Sequence, residues 1–232
     1  MGLKESGLRG SLRNVSVGIA AIPDEGLLRN YEINEGGTET TIIDYASGED
    51  GTANHSDWES NKGRDEPILK HNGTSDTITI PDVKALDGEF TFALTIYTEN
   101  PSESDTFAIL RKNNNIGFRC RPTENDIELL IEGESGGVNI DTSLPEQEWV
   151  SLVGRRDEND DVFFDVNASN VGSGNISGNN DSNNGPDAIM SREDDDRYAP
   201  GFPAEFRIYE EFYTLEEFSK PYHETFAGSW NN

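Results

Sequence analysis

The sequence has little of several features that define common protein classes. It contains a single cysteine, Cys120, which excludes a disulfide scaffold, a cysteine zinc cluster and an iron–sulfur site. No apolar run approaches the ~18 residues of a membrane-spanning helix, so we expect no membrane insertion. Basic residues are scarce: 18 Lys and Arg stand against 45 Asp and Glu. The resulting formal charge of −27 repels nucleic acid, so we expect no nucleic-acid partner.

Apolar residues are also sparse enough to question whether the chain folds. Leu, Ile, Val and Phe together supply 51 of 232 residues. That share lies just above the ~20% below which a charged chain is typically disordered. Composition alone does not distinguish a folded chain from a disordered one, so the distinction must come from the pattern of the residues.

A period-two alternation of apolar and polar residues indicates that the chain folds. It is clearest in residues 90–97, where Phe90, Phe92, Leu94 and Ile96 alternate with Thr, Ala and Tyr. Shorter alternating or apolar segments occupy 77–80, 107–109, 116–120, 127–131, 149–153, 162–166 and 204–209. Polar turns at 112–115, 123–126 and 157–160 separate several of them. Many short strands with polar turns predict an antiparallel β-sandwich.

One short helix is predicted near the C-terminus. Thr214 and Glu217 have the spacing of a capping box, and Leu215 and Phe218 share a helix face. Pro221 is expected to end this helix.

The acidic residues are spread through the chain and are accompanied by 12 Arg but only 6 Lys. A dispersed acidic excess with little Lys resembles proteins of salt-loving microbes. At molar salt the Debye length falls to ~3 Å, which removes most of the self-repulsion. The alternative is an ordinary acidic protein that binds cations or basic partners.

The N-terminal residues lack the acidic excess of the rest of the chain. Residues 1–22 carry a charge of +2, whereas the rest of the chain totals −29. We therefore divide the chain into an arm for docking or oligomerisation (1–26), a domain (27–227) and a C-terminal tail (228–232). The predicted assembly residues of the arm are Leu8, Arg9, Leu12, Arg13, Val15, Val17 and Ile19. The alternative for this segment is a disordered terminal arm.

The order of several segments resembles a known family. HNGTSDTITIPD (71–82), ALDGEFTFALTIY (85–97), EWVSLVGRRDENDDVFFDVNASNVGS (148–173) and FPAEFRIYEEFYTLEEF (202–218) follow one another. This order is similar to the laminin-G-like branch of the concanavalin-A-like lectin/glucanase superfamily. The resemblance implies an all-β, concanavalin-A-like antiparallel β-sandwich (jelly roll) with one short C-terminal helix, and the arm of residues 1–26 is expected to precede it as an N-terminal docking arm. Asn167-Ala168 departs from the Asp-Gly that is frequent in the family.

The candidate ligand-binding residues are aromatic. Trp58, Tyr198 and Phe202 are expected to stack on sugar rings if they lie on a loop rim. Trp149 is expected to pack in the core, because it opens an apolar strand.

A candidate metal site lies in the turn at 157–160. Asp157, Asn159 and Asp161 have the alternating-oxygen spacing of calcium loops, but the glycine and glutamate of such loops are missing. Laminin-G-like domains often bind calcium at the sandwich rim, so the resemblance implies a structural Ca²⁺ or Mg²⁺ ion here. The alternative is a solvated turn. We expect no required cofactor.

A glucanase-like carboxylate spacing is present but is not interpreted as catalytic. Glu124, Asp126 and Glu128 match the Glu-x-Asp-x-Glu signature, in which alternation points all three carboxylates into a cleft. Residues 123–126, however, have the composition of a hairpin turn, which would place the first two carboxylates at its tip. We therefore predict that the protein is not an enzyme.

The basic arm and the acidic body together resemble virion proteins of tailed viruses that infect haloarchaea. This resemblance implies a virion surface protein (head turret, decoration or tail-associated) that displays a lectin-like domain for attachment to host glycans. Its expected partners are sister subunits in a homo-oligomer, other virion proteins and host surface glycans. The alternative is a secreted or cell-surface carbohydrate-binding protein or glucanase of a haloarchaeon, located extracellularly. The lack of a basic and then apolar leader argues against secretion.

Overall fold

A computed structural model describes residues 21–33, 40–54, 58–60, 62, 67–81, 88–99, 107–112, 116–121, 126–131, 137–140, 144–176, 187–192 and 197–231. These residues form antiparallel sheets and one helical segment near the C-terminus, as predicted. The assembly residues of the arm, Leu8 to Ile19, lie outside this part of the chain. Within it, no helix is long and apolar enough to span a membrane.

Two sheets contain most of the described strands. The seven-stranded sheet contains β1 (Leu27–Glu32), β6 (His71–Asn72), β8 (Phe90–Tyr97), β13 (Trp149–Arg156), β14 (Asp161–Val166), β15 (Ser169–Asn175) and β19 (Pro200–Tyr209) among the described residues. The eight-stranded sheet contains, in the same part of the chain, β2 (Thr41–Ile42), β3 (Gly51–Asn54), β7 (Thr77–Ile80), β9 (Phe107–Lys112), β10 (Ile116–Arg121), β11 (Asp126–Ile131), β12 (Gly137–Ile140) and β16 (Asp187–Ile189). Two further described pairs are β4 (Trp58–Ser60) with β5 (Pro67–Leu69), and β17 (Ser191–Arg192) with β18 (Arg197–Tyr198).

The strand order brings distant parts of the sequence together. The first sheet runs β1-β19-β8-β13-β14-β15, with β6 paired to β19, and the second runs β12-β11-β10-β9-β16-β7-β3-β2. Because β8 lies between β13 and β19, Tyr97 is opposite both Trp149 and Phe202. This juxtaposition at one end of the seven-stranded sheet positions the candidate site.

The core between the sheets is rich in aromatic residues, because inward-facing side chains alternate with outward-facing ones along each strand. The ring centroid of Phe118 lies 4.8 Å from that of Phe92 and 5.3 Å from that of Phe164, and all three are buried. Gly154 lies beneath the Phe92 ring, where an added Cβ would come within 2.6 Å of the ring atoms. The same Cβ would come within 2.9 Å of Leu129 Cδ1 on the facing sheet, so the packing of the two sheets at this point requires a glycine.

The C-terminal helix, residues 215–227, covers the outer face of the seven-stranded sheet. Wide helical turns over Leu215–Ser219 and His223–Ala227 flank a short α-helical turn, Lys220–Tyr222. The aromatic side chains of the helix form a stacked row against Ala93, Val153 and Tyr209 of the sheet; they are Phe218, Tyr222 and Phe226. The helix thus shields apolar residues on a sheet face that would otherwise be exposed.

The beginning of this helix is as predicted, but its end is not. The Thr214 backbone N–H donates to Glu217 Oε2 (3.0 Å), and the Glu217 N–H donates to Thr214 Oγ1 (3.3 Å), which completes the capping box. The expectation that Pro221 ends the helix is wrong. Pro221 lies inside the continuous helical segment, between the two wide turns, and the helix continues to Ala227 because Tyr222 and Phe226 pack against the sheet.

A buried ion pair lies between this helix and the sheet. Arg155 binds Asp165 through two hydrogen bonds, from Nε to Oδ2 (2.7 Å) and from Nη2 to Oδ1 (3.0 Å). Ser219 Oγ donates to Asp165 Oδ2 (2.6 Å), and Asn170 Nδ2 donates to Asp165 Oδ1 (3.0 Å). Arg155 Nη1 also donates to the Tyr213 carbonyl (3.0 Å). We call Arg155, Asp165 and Ser219 the buried network, and the exposed Asn170 borders it.

Residues 228–231, assigned above to a C-terminal tail, pack against the body of the domain. The ring of Trp230 lies 4.8 Å from that of Trp149 and 6.0 Å from that of Phe226. The Asn231 side chain hydrogen-bonds to both the backbone N–H and the backbone carbonyl of Trp149. These contacts pack residues 228–231 against the domain, and the boundary at residue 227 stays a prediction.

Candidate functional site

Two of the three aromatic residues expected to stack on sugars lie in short strand pairs. Trp58 in β4 is opposite Leu69, and Tyr198 in β18 is opposite Ser191. Their proposed role as sugar-stacking residues stays a prediction.

Phe202, the third, has a different setting. It is fully buried in a cluster with Trp149 and Ala204. The Tyr97 ring packs edge-on at 5.9 Å, and the Lys62 Nζ lies 4.7 Å from the ring centroid. The expectation that Phe202 presents an exposed ring is therefore wrong, because protein atoms cover it.

The predicted metal-binding residues form the hairpin turn between β13 and β14. Asp157 Oδ1 accepts hydrogen bonds from the backbone N–H groups of Asn159 (2.8 Å) and Asp161 (3.0 Å). Asn175 Nδ2 donates to Asp161 Oδ1 (2.8 Å). Among the described residues, no group of three or more His, Cys, Asp or Glu side chains could hold a metal ion. The contacts are those of a polar turn, and a bound Ca²⁺ or Mg²⁺ stays a prediction.

The carboxylate signature lies on the predicted hairpin, and its last member is engaged by a cation. Asp126 and Glu128 belong to β11, whereas Glu124 lies outside the described residues. Glu128 is buried and forms an ion pair with Arg119 on the neighbouring strand β10. The last carboxylate of the signature is therefore bound to Arg119 of the neighbouring strand.

A pocket of about 460 Å³ opens where β8 ends and β13 begins. Its walls come from four parts of the chain that are far apart in sequence. The lining residues are Lys62, Tyr97, Gln147, Glu148, Trp149, Trp230 and Asn231. We call this the rim pocket.

Indole and phenol rings form the apolar part of the rim pocket. Trp149 is fully buried, and its Nε1–H donates to the Lys62 carbonyl (2.6 Å). Tyr97 and Trp230 pack edge-on against Trp149, with ring centroids 5.6 and 4.8 Å away. Because both are only half-buried, Tyr97 and Trp230 retain ring surface that a ligand can contact.

The polar part of the rim pocket is held in place by the backbone. The Gln147 N–H donates to the Thr98 carbonyl (2.7 Å), and the Thr98 N–H donates to the Glu148 carbonyl (3.3 Å). Gln147 has a φ of 56°, a left-handed conformation that costs energy for a residue with a side chain. Asn231 is fixed by its two bonds to the Trp149 backbone, at 2.8 and 2.9 Å. Three polar side chains therefore surround a small aromatic surface.

The charges near the rim pocket are mostly compensated. Lys62 Nζ forms an ion pair with Glu99 (2.9 Å) and lies 5.1 Å from the centroid of the Tyr97 ring. His223 Nδ1 lies 3.1 Å from Ser151 Oγ in β13. Burial lowers the pKa of His223, an effect that Glu224 and Glu148 oppose, so the imidazole is neutral at pH 7. Glu148 forms no ion pair with any described residue.

The composition of the rim pocket suits the binding of a polar ring. Ser151, which lies beside His223, is fully buried. Aromatic surface combined with a few well-placed polar groups is the usual composition of a small-ligand pocket. Sequence reasoning placed Trp149 in the core, which is confirmed, but it missed the rest of the pocket. The sequence signal was weak, because Trp230 lies well beyond Pro221, where the helix was expected to end.

The fold and this pocket define a lectin-like β-sandwich. A family model, Laminin_G_3 of the concanavalin A-like lectin/glucanases superfamily, matches residues 72–218. The chain belongs to this family. Comparison with curated proteins gives no match.

Solved structures share the fold at low sequence identity. The botulinum neurotoxin serotype D binding domain is 12% identical with a TM-score of 0.63, covering 87% of this chain and 52% of that chain. The binding domain of Paraclostridial Mosquitocidal Protein 1 is 12% identical with a TM-score of 0.65, covering 87% of this chain and 52% of that chain. Trypanosoma rangeli sialidase in complex with sialic acid is 13% identical with a TM-score of 0.66, covering 89% of this chain and 34% of that chain. The chain thus spans about half of the toxin binding domains and a third of the sialidase.

Proposed function

We propose that the protein is a non-enzymatic virion surface protein of a halophilic archaeal virus, whose lectin-like domain attaches to host surface glycans. The rim pocket carries the proposal. On a lectin-like sandwich, it combines the half-buried rings of Tyr97 and Trp230 with the polar groups of Gln147, Glu148 and Asn231. Sugars offer hydroxyl groups to polar side chains and C–H groups to aromatic rings, so this composition matches a saccharide.

The charge distribution supports the viral and halophilic part of the proposal. An acidic body with a +2 segment at residues 1–22 suits a protein that docks through its arm to an acidic particle or to sister subunits. The arm joins the domain next to the C-terminal helix, where Ile22 packs against the cluster of Phe218 and Tyr222. The protein would then repeat by symmetry on a head turret, a decoration site or the tail.

Three measurements test this assignment. Antibody detection should find the protein in purified particles, and deletion of residues 1–22 should leave a folded monomer that no longer assembles. Dialysis from molar salt into dilute buffer should unfold the body, because self-repulsion is no longer screened. Detection only in the culture medium, together with release of reducing sugar from glucans, would instead support the extracellular glucanase alternative. Continued assembly without the arm would overturn its docking role.

A further inference from the structure

We propose that each subunit receives the N-terminal arm of a second copy of this chain on the surface where its own arm leaves the domain. This inference rests on the proposed docking role of the arm, and it names the receiving surface and the partner. We call this the arm-exit surface; it comprises residues 21–26, Phe212 and Tyr213. Three features carry the inference: a fixed point of exit, half-buried apolar side chains and a local group of carboxylates.

The point at which the arm leaves the domain is fixed by contacts within the chain. The Tyr213 hydroxyl donates to the Glu25 carbonyl (2.6 Å), and the Glu210 N–H donates to the Gly26 carbonyl (2.9 Å). Gly26 has a φ of 65°, and an added Cβ would collide with the Glu211 side chain. This turn therefore requires a glycine. The arm accordingly starts from a defined place beside the C-terminal helix.

The arm-exit surface contains apolar side chains that are only half-buried. Ile22 and Tyr213 pack against the aromatic cluster of the helix, and the Tyr213 ring stacks on that of Phe218 at 6.0 Å. The ring centroids of Phe212 and Phe163 lie 5.8 Å apart, and both side chains are half-buried. Apolar residues of the arm recur at alternate positions and supply a partner for these rings; they are Val15, Val17 and Ile19.

The carboxylates of the arm-exit surface complement the charge of the arm. Burial and the nearby charges of Glu211, Glu25 and Glu217 raise the pKa of Tyr213 to about 12, which shows that a negative potential acts on this side chain. Residues 1–22, by contrast, carry a charge of +2. A positive segment is therefore attracted to this surface. Molar salt screens partly buried pairs in direct contact much less than distant charges, so the attraction persists under halophilic conditions.

The position of the arm-exit surface favours a second copy as the source of the arm. The arm and the surface that receives it lie at one place on the subunit, which is the arrangement that a two-fold interface requires. With the axis beside this surface, each arm reaches the partner directly. Within its own subunit the arm would have to reverse direction, although Ile19 precedes the packed Ile22 by only three residues and a β-turn alone takes four.

Charge reversal tests the proposal with the full chain in molar salt. Sedimentation equilibrium should show that the wild type self-associates. Glu25→Lys combined with Glu211→Lys should raise the dissociation constant about tenfold, because like charges then face each other. Arg9→Glu combined with Arg13→Glu should do the same, and all four changes together should restore assembly. The matched control is Glu224→Lys, an exposed change near the other end of the helix, which should leave assembly unchanged. Thermal melts verify folding.

Cysteine cross-linking distinguishes the arm of a second copy from the chain's own arm. Val17→Cys and Glu211→Cys are combined in one chain and oxidised with copper phenanthroline; the native Cys120 is buried. We expect the double variant to form a disulfide-linked dimer on a non-reducing gel and either single variant to remain a monomer. A double variant that instead closes an internal disulfide and stays monomeric would overturn the second copy as the source of the arm.

The remaining outcomes separate this inference from the proposed function. Deletion of residues 1–22 could abolish assembly while reversal of Glu25 and Glu211 leaves it unchanged, and this result would overturn the arm-exit surface as the receiving site. A wild type that is monomeric in molar salt but present on particles would overturn the second copy and leave docking to other virion proteins standing. Assembly that persists without residues 1–22 would overturn the docking role of the arm itself.

Discussion

The buried network and the rim pocket contain similar polar residue types, but these residues have different roles in the two regions. In the buried network, both Asp165 oxygens accept hydrogen bonds from Arg155, and Ser219 and Asn170 add one each. In the rim pocket, the Gln147 side chain is exposed and Glu148 has no cation partner among the described residues. Polar groups that are satisfied within the protein position the helix, whereas those left to solvent are available to a ligand.

The difference follows from what covers each region. The C-terminal helix shields the buried network from water, so each polar atom there needs a protein partner. The pocket lies just beyond the helix, where Trp230 and Asn231 form one of its walls. The same C-terminal segment thus completes the fold with one part and borders the candidate site with the next.

The largest effect is expected from breaking the buried network. Asp165→Ala leaves the Arg155 guanidinium buried without its counter-charge and also removes the acceptor of Ser219. Loss of one partner of a buried ion pair typically costs about 3–5 kcal/mol. Urea titration in molar salt should show this loss in the free energy of unfolding.

Glu158→Ala is the matched control, because it removes an exposed carboxylate from the nearby turn. Its effect should stay within about 0.5 kcal/mol. An Asp165→Ala protein as stable as this control would show that the buried network contributes no stability, and the contrast with the rim pocket would fail.

Much of the fold was predictable because it depends on local pattern. The alternation around Phe90 and the capping box of Thr214 and Glu217 are properties of neighbouring residues, and both predictions are confirmed. The continuation of the helix past Pro221 was not predictable, since it depends on packing of Tyr222 and Phe226 against the sheet. Tertiary contacts there outweigh the local signal of a proline.

The rim pocket was hardly predictable, because strand order creates it. Lys62, Tyr97, Trp149 and Trp230 come from four distant segments that meet where β8, β13 and the end of the helix lie side by side. Phe202 was misjudged for the same reason: pairing with β8 places it under Tyr97 and Lys62. A sequence shows that an aromatic residue is present but not which neighbours cover it.

A second prediction separates stability from binding at two strained positions. Gln147 and Ala168 both have positive φ values, 56° and 60°. Replacing either by glycine should relieve the strain and stabilise the fold by about 1 kcal/mol. Gln147→Gly should in addition weaken sugar binding at least threefold, because it removes the pocket amide.

Ala168→Gly is the control for this effect, because Ala168 lies in the turn between β14 and β15 and does not line the pocket. Urea titration measures the stabilisation, and NMR titration with a neutral methyl glycoside that binds the wild type measures affinity. Equal affinities of the two variants would mean that Gln147 is strained without serving the ligand.

The smallest effect concerns His223, which touches both regions: it belongs to the helix and lies near Ser151 and Glu148. Burial lowers its pKa in the fold, so between its ordinary value of about 6.5 and the lowered value the unfolded chain binds more protons. Stability should therefore fall as the pH drops below about 6.5, and His223→Gln should reduce this slope without changing stability at pH 8. The shift in urea midpoint should be smaller than for the glycine variants, because His223 is only half-buried. The wild type and His223→Gln could instead show the same dependence of stability on pH between pH 7.5 and 5.5. That result would mean that the pKa of His223 is the same in the folded and the unfolded chain.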